Sequence, residues 1–192
     1  IENVELHGVS PVVAINAFPT DHPSEHEAIR RVAAEIGARV AVSTHFVDGG
    51  AGATELARAV AEACEEPTEF RHLYPDDASL REKIAAVATD VYGAAAVEYS
   101  PGAAKQVDLY ERNGFGHLPV CIAKTHLSIS ADAALKGAPT GHTLAVREVR
   151  ASVGAGFVYP ICGDMRTMPG LGTTPAAASI DLDGNGEIIG LS

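Results

Sequence analysis

Apolar residues run unbroken along 11–15 and predominate again along 38–43, where Arg39 interrupts them, the pattern of short buried-type strands. Between the two runs Ala28, Ile29, Val32, Ala33 and Ile36 recur at helical spacing, predicting an amphipathic helix that Ser24 and Glu27 cap as a box and Gly37 stops. A strand, a helix of that length and a second strand make a right-handed parallel crossover. Phe18 and Phe46 follow the first and second strands and are expected to end them. Gly49, Gly50 and Gly52 then lead into another helical pattern, with Leu56, Val60 and Cys64 at four-residue steps.

Residues 65–77 are polar, aromatic and proline-containing, and read as a surface connection. Ser79 and Glu82 repeat the capping-box spacing, Ile84, Val87, Ala88 and Val91 supply a buried stripe, and Gly93 closes that helix. A short strand over 95–99 meets Ser100 and Pro101, an N-cap and a first-turn proline, and the helix they start ends near Asn113 and Gly114. A buried-type strand over 119–123 delivers Lys124, Thr125 and His126 at its end, and 128–141 is a small-residue loop. Leu144 and Val146 alternate in one phase and Val149, Ala151 and Val153 in the other, which predicts a bulge or a change of sheet. Two short strands around Asp183, Gly184, Asn185 and Gly186 predict a hairpin. The whole is α/β: a small parallel-sheet domain with crossover helices over 1–116, then a smaller, more irregular mixed α/β domain over 117–192.

Composition narrows the function. A net charge of −11 over 192 residues argues against a nucleic-acid surface. No apolar stretch approaches the roughly 18 residues that read as a membrane span. Cys64, Cys121 and Cys162 lie in apolar contexts without metal spacing, so they are expected to be reduced, buried thiols of a cytoplasmic protein. His22 and His26 enter a helix without sharing a ligand face, and no metal site is expected.

The glycine turn has the layout of a phosphate cradle, but Ala53 stands where a P-loop places its lysine. A plain turn, or one that lets a flat ligand approach, fits better. Phe18 and Phe46 are either core side chains or the two walls of a crevice at the carboxyl ends of parallel strands, where open α/β sheets bind ligands. Asp181, Asp183, Asn185 and Gly186 match the opening of a calcium loop, yet Ser192 occupies the position of its bidentate glutamate, which favours the hairpin. The loop from Asp164 and Arg166 through Thr167, Met168, Pro169, Gly170 and Leu171 carries no legible catalytic logic.

The motifs PVVAINAFPTD (11–21), YGAAAVEYSP (92–101), LPVCIAKT (118–125), VREVRASVGAGF (146–157) and GDMRTMPGL (163–171) resemble, in this order, those of formate:tetrahydrofolate ligase, also called formyltetrahydrofolate synthetase. The resemblance covers that family's carboxyl-terminal portion. It implies an ATP- and Mg2+-dependent ligase forming 10-formyltetrahydrofolate through formyl phosphate, with the P-loop in a separate amino-terminal domain. On that reading the present chain holds no catalytic residue, needs no cofactor of its own and is inactive alone.

The resemblance further implies that Phe18 and Phe46 stack on the pterin, with Pro19, Gly49 and Gly50 around them, and that Lys124, Thr140 and Gly141 face the nucleotide. The partners it implies are the P-loop domain, a small-molecule folate and further copies of the complete enzyme. Four positions depart from the family pattern: Phe46 where Trp is common, His126–Leu127 for Gln-Tyr, and His142 for Phe. A non-catalytic binding or assembly module derived from the family is the alternative.

Overall fold

In a computed structural model that describes residues 1–165 and 173–190, one helical turn, α1 (Glu2–Glu5), precedes β1 (Val12–Asn16), α2 (Pro23–Ile36) and β2 (Arg39–Ser43). β1 and β2 pair in parallel, Val12 opposite Arg39 and Asn16 opposite Ser43, with α2 as the crossover. The start of α2 lies upstream of the predicted Ser24–Glu27 box. His22 is the N-cap: its Nδ1 accepts from the Ser24 N–H, and its own N–H donates to Glu25 Oε2 at 2.8 Å. Pro23 fixes this start, since proline at the first helical position lacks only an N–H that would be unpaired anyway. Of the predicted apolar stripe Ala33 is buried, while Ile29 and Val32 are exposed. Two strands are too narrow to cover a whole helix face.

After β2 come α3 (His45–Asp48), a 3-10 turn (Gly49–Ala53) and α4 (Thr54–Cys64). In α4 the buried position is Ala63, one residue from the predicted phase, so Val60 and Cys64 face outward. Glu66, just past α4, pairs with Arg39 of β2 and accepts from Ser10 Oγ at 2.7 Å. The Arg39 guanidinium, then Ser10, hold its carboxyl down at about 2. A carboxyl depressed when folded stabilises above its unfolded value of 4.5 and loses that contribution as pH falls through about 2. Urea midpoints of the chain should therefore fall between those pH values more steeply than those of Glu66→Gln; identical acid slopes would refute the pairing.

The second body is larger. α5 (Leu80–Ala86) starts at the predicted box, the Glu82 N–H donating to Ser79 Oγ at 3.3 Å and the Ser79 N–H to Glu82 Oε2 at 2.8 Å. It runs into a π-helical turn (Val87–Val91) and ends at Gly93, whose φ of 65° suits glycine. β3 (Ala96–Tyr99) and α6 (Pro101–Arg112) follow, with Ser100 capping as expected. β4 (Thr143–Ser152) lies parallel to β3 and antiparallel to β5 (Phe157–Cys162). The predicted phase slip is a register shift between Val146 and Glu148, which turns Leu144, Val146 and Val149 all inward. Leu80, Ile84, Ala88, Ala103, Val107, Val158 and Cys162 complete one core, so residues on both sides of position 116 share it.

The segment 119–123 is not the regular strand its apolar run predicts. It lies beside β5 through isolated parallel bridges, Val120 with Val158 and Ala123 with Ile161. Pro160 has no N–H to donate, which interrupts the ladder. Cys162 is buried as expected, whereas Cys121, on this outer segment, is exposed like Cys64. β6 (Asp181–Leu182) and β7 (Ile188–Ile189) form the hairpin. Asp183 Oδ1 accepts from the N–H groups of Asn185 and Glu187 at 2.8 and 2.9 Å, closing the turn with the oxygen a calcium loop would point at its ion. Arg166 to Leu171 and Ser192 lie outside the described residues. Among those described, no helix is long and apolar enough to cross a membrane.

Candidate functional site

Because β1 and β2 are parallel, their carboxyl ends open on one side, and the chain leaves both ends toward an aromatic side chain. The pattern puts each ring at a strand end, but neither stands on a strand. Phe18 lies two residues past β1, and Phe46 is carried on the single turn α3. The ring centroids are 5.0 Å apart and the planes tilted by 50°. Both rings are exposed, Phe18 by 42% and Phe46 by 65%, so neither is a core phenylalanine. They touch each other. A flat ring sandwiched between them needs a separation of about 7 Å, two contacts of about 3.5 Å, so the slot is shut in this conformation.

The Phe18 wall is held by a β-turn with Pro19 at its second position. The Asp21 N–H donates to Phe18 O at 3.0 Å, and the Phe18 N–H to Asp21 Oδ2 at 2.8 Å. His26 Nε2 lies 3.3 Å from the same carboxylate oxygen. The Phe18 N–H first, and His26 second, hold the Asp21 carboxyl below its usual range. The sequence pattern gives neither Asp21 nor His26 a part in this wall, although an Asp three residues after the ring is a recognisable turn signal.

The Phe46 wall is built differently. The Thr44 N–H donates to Gly52 O at 3.0 Å, Thr44 Oγ1 to Asp48 Oδ2 at 2.7 Å, and Ser43 Oγ meets His45 Nδ1 at 2.9 Å. Gly49, at φ 58° and ψ −142°, occupies a region closed to other residues. A Cβ on Gly52 would lie 2.7 Å from the Thr44 carbonyl carbon, whereas one on Gly50 would meet nothing within 4 Å. Beside the turn is an open depression of about 560 Å³ lined by Thr44, Gly52, Thr54, Asp48 and Glu55. Two carboxylates in that lining suit a phosphate poorly.

Lys124, Thr140 and Gly141 gather at another corner, around Tyr92 and Gly93. Lys124 Nζ sits 4.9 Å from the Tyr92 ring centroid and donates to the carbonyls of Thr125 and Ser128. Burial pushes its pKa below the ordinary lysine value. The Gly141 N–H donates to Gly93 O at 2.8 Å, and a Cβ on Gly93 would meet Thr140 Cγ2 at 3.2 Å. These contacts join the loop 128–141 to the end of α5. His142, next in sequence, has both ring nitrogens buried without a partner among the described residues.

The chain is an α/β protein with an exposed pair of aromatic rings just beyond the carboxyl ends of two parallel strands, the side on which open α/β sheets bind their ligands. Comparison with known proteins narrows this to one family. The model of the formate–tetrahydrofolate ligase family matches residues 1–192, and the chain belongs to that family. It is 68% identical over 192 residues to the formate–tetrahydrofolate ligase of Saccharopolyspora erythraea, covering 100% of this chain and 34% of that protein. It is 61% identical over 200 residues to formate–tetrahydrofolate ligase 3 of Rubrobacter xylanophilus, covering 100% of this chain and 35% of the relative. Identity is 60% over 191 residues to the Cutibacterium acnes enzyme, again 100% of this chain and 34% of the relative. The chain thus spans about a third of the length of the relatives it matches. The carboxyl-terminal placement expected from the motifs is not part of what those matches establish.

Proposed function

We propose that this chain is the folate-holding part of an ATP-dependent formate:tetrahydrofolate ligase, with Phe18 and Phe46 as the walls that take the pterin. The observation that carries the reading is the contact of two exposed rings beyond the ends of adjacent parallel strands. A soluble surface seldom leaves such a pair uncovered without a use for it. Pro19 shapes the turn that holds one wall, and Gly50 offers an open approach beside the other.

The phosphate chemistry belongs elsewhere in the longer protein. ATP and Mg2+ would convert formate to formyl phosphate there, and the folate amine, held by this chain, would displace the phosphate. The phosphate-handling part is then this chain's working partner, in a cytoplasmic enzyme that assembles as a homo-oligomer. Lys124, Thr140 and Gly141 are the residues of this chain offered to the nucleotide, although Lys124 first has to release its carbonyl partners.

The test is a titration of the chain with tetrahydrofolate. The chain should bind it, and Phe18→Ala with Phe46→Ala should weaken binding by about 5- to 140-fold, since each ring contact contributes about 0.5–1.5 kcal/mol beyond the area it covers. Mixed with formate, tetrahydrofolate and ATP, the chain alone should form no 10-formyltetrahydrofolate. Unchanged affinity in the double variant, or enzyme-like turnover by the chain alone, would overturn the reading.

A further inference from the structure

A shut slot raises the question of which wall moves. Admitting a flat ring takes the centroid separation from 5.0 Å to about 7 Å, so at least one phenylalanine must swing. The two are tethered unequally. Phe18 leaves the sheet at the Ala17 N–H, which still donates to Ser43 O at 2.9 Å. From there the Asp21 carboxylate takes over: Oδ2 accepts from the Phe18 N–H and faces His26 Nε2 on α2. The backbone that sets the Cα–Cβ direction of Phe18 is thereby tied both to its own turn and to a fourteen-residue helix. On the other wall the bonds of Thr44 to Asp48 and Gly52 hold the base of the turn, and among the described residues no side-chain bond reaches Phe46 itself. Phe46 stands on a single turn with no buried residue, more exposed than Phe18, and Gly49 and Gly50 follow it.

We infer that Asp21 is a positioning residue that makes Phe18 the fixed wall of the slot, steadied through His26, and leaves Phe46 as the wall that swings aside to admit the ligand ring. The inference rests on the pterin reading for the identity of the ligand. Its geometry does not depend on that identity. Removing the Asp21 carboxylate frees the Phe18 N–H and lets the wall drift; asparagine keeps an oxygen that can accept from the same N–H.

Two measurements on the chain test this. In the ligand-free chain, proton NMR should show a ring-to-ring contact between Phe18 and Phe46 that Asp21→Ala weakens strongly and Asp21→Asn retains. In tetrahydrofolate titrations, Asp21→Ala should weaken binding about tenfold and Asp21→Asn less than about threefold. Placed in a Phe18→Ala background, Asp21→Ala should add less than about twofold, because a residue that acts only through Phe18 loses its effect when that ring is gone. A tenfold loss that persists without Phe18, or an undiminished ring contact in Asp21→Ala, would overturn the inference. If tetrahydrofolate does not bind at all while the ring contact responds as stated, the pterin reading fails and the positioning role stands.

Discussion

Replacing Lys83 by alanine is expected to lower the thermal unfolding midpoint of the chain by about 6–12 °C. Lys83 has no exposed surface, and its ammonium lies inside α5's contact with two connections. It donates to the carbonyls of Asp76, Gly116 and Leu118 at 2.8, 2.9 and 3.3 Å, and stands 5.8 Å from the Tyr74 ring centroid. Burial lowers its pKa, with Asp76 and Asp77 opposing that shift. Each of these part-buried carbonyls left without a donor costs up to about 1–3 kcal/mol, and the adjoining cavity of about 410 Å³ lets water repair part of the damage. A net loss near 3 kcal/mol, at about 2–4 °C per kcal/mol for a chain of this size, gives the stated shift. Lys83→Met separates charge from packing: it refills the volume but leaves the carbonyls unpaired, so it should recover less than half of the loss. A midpoint within 2 °C of wild type for Lys83→Ala would show that the three bonds are replaceable by water.

Lys83 also shows what the sequence made legible and what it hid. It lies three residues after Leu80 and four before Val87, on the buried face of α5 by helical phase, yet a lysine in such a stripe reads as solvated because its partners are backbone carbonyls, which no side-chain pattern marks. The same limit explains α2 and α4. Their periodicity correctly announced helices, but which apolar residues would be covered depends on the width of the sheet beneath, and two strands bury only Ala33 and Ala63 nearly completely. By contrast, features written in local chemistry came through. The Ser79–Glu82 box, the Ser100–Pro101 start and the bulge in β4 stand where the residues place them. The site divides in the same way: Phe18 and Phe46 were legible as a pair because strand ends converge, whereas their direct contact, and the Asp21–His26 tether behind one of them, appear only when distances are known.

Gly52→Ala is expected to weaken tetrahydrofolate binding by about tenfold while leaving the unfolding midpoint of the β3–β4–β5 core within a few degrees of wild type. The cause is a close approach between two backbones. A Cβ at Gly52 would lie 2.5 Å from Thr44 Oγ1, 2.7 Å from the Thr44 carbonyl carbon and 2.9 Å from its oxygen. The hydroxyl can rotate away at the loss of its bond to Asp48, but the carbonyl cannot. Relief therefore requires breaking the Thr44–Gly52 hydrogen bond at the base of the loop and displacing α3, which carries Phe46. Overpacking of this kind costs about 1–3 kcal/mol, and 1.4 kcal/mol is tenfold in affinity. The core is spared because its buried residues come from α5, the π-helical turn after it, α6, β4, β5 and the Ala94 turn, none of which adjoins Gly52 in the chain. Gly50→Ala supplies the contrast: its Cβ meets no protein atom within 4 Å, so the fold should be unmoved, and any weakening of binding would come from the ligand's side of the turn. Undiminished affinity in Gly52→Ala would mean that the Thr44–Gly52 closure does not set where Phe46 stands.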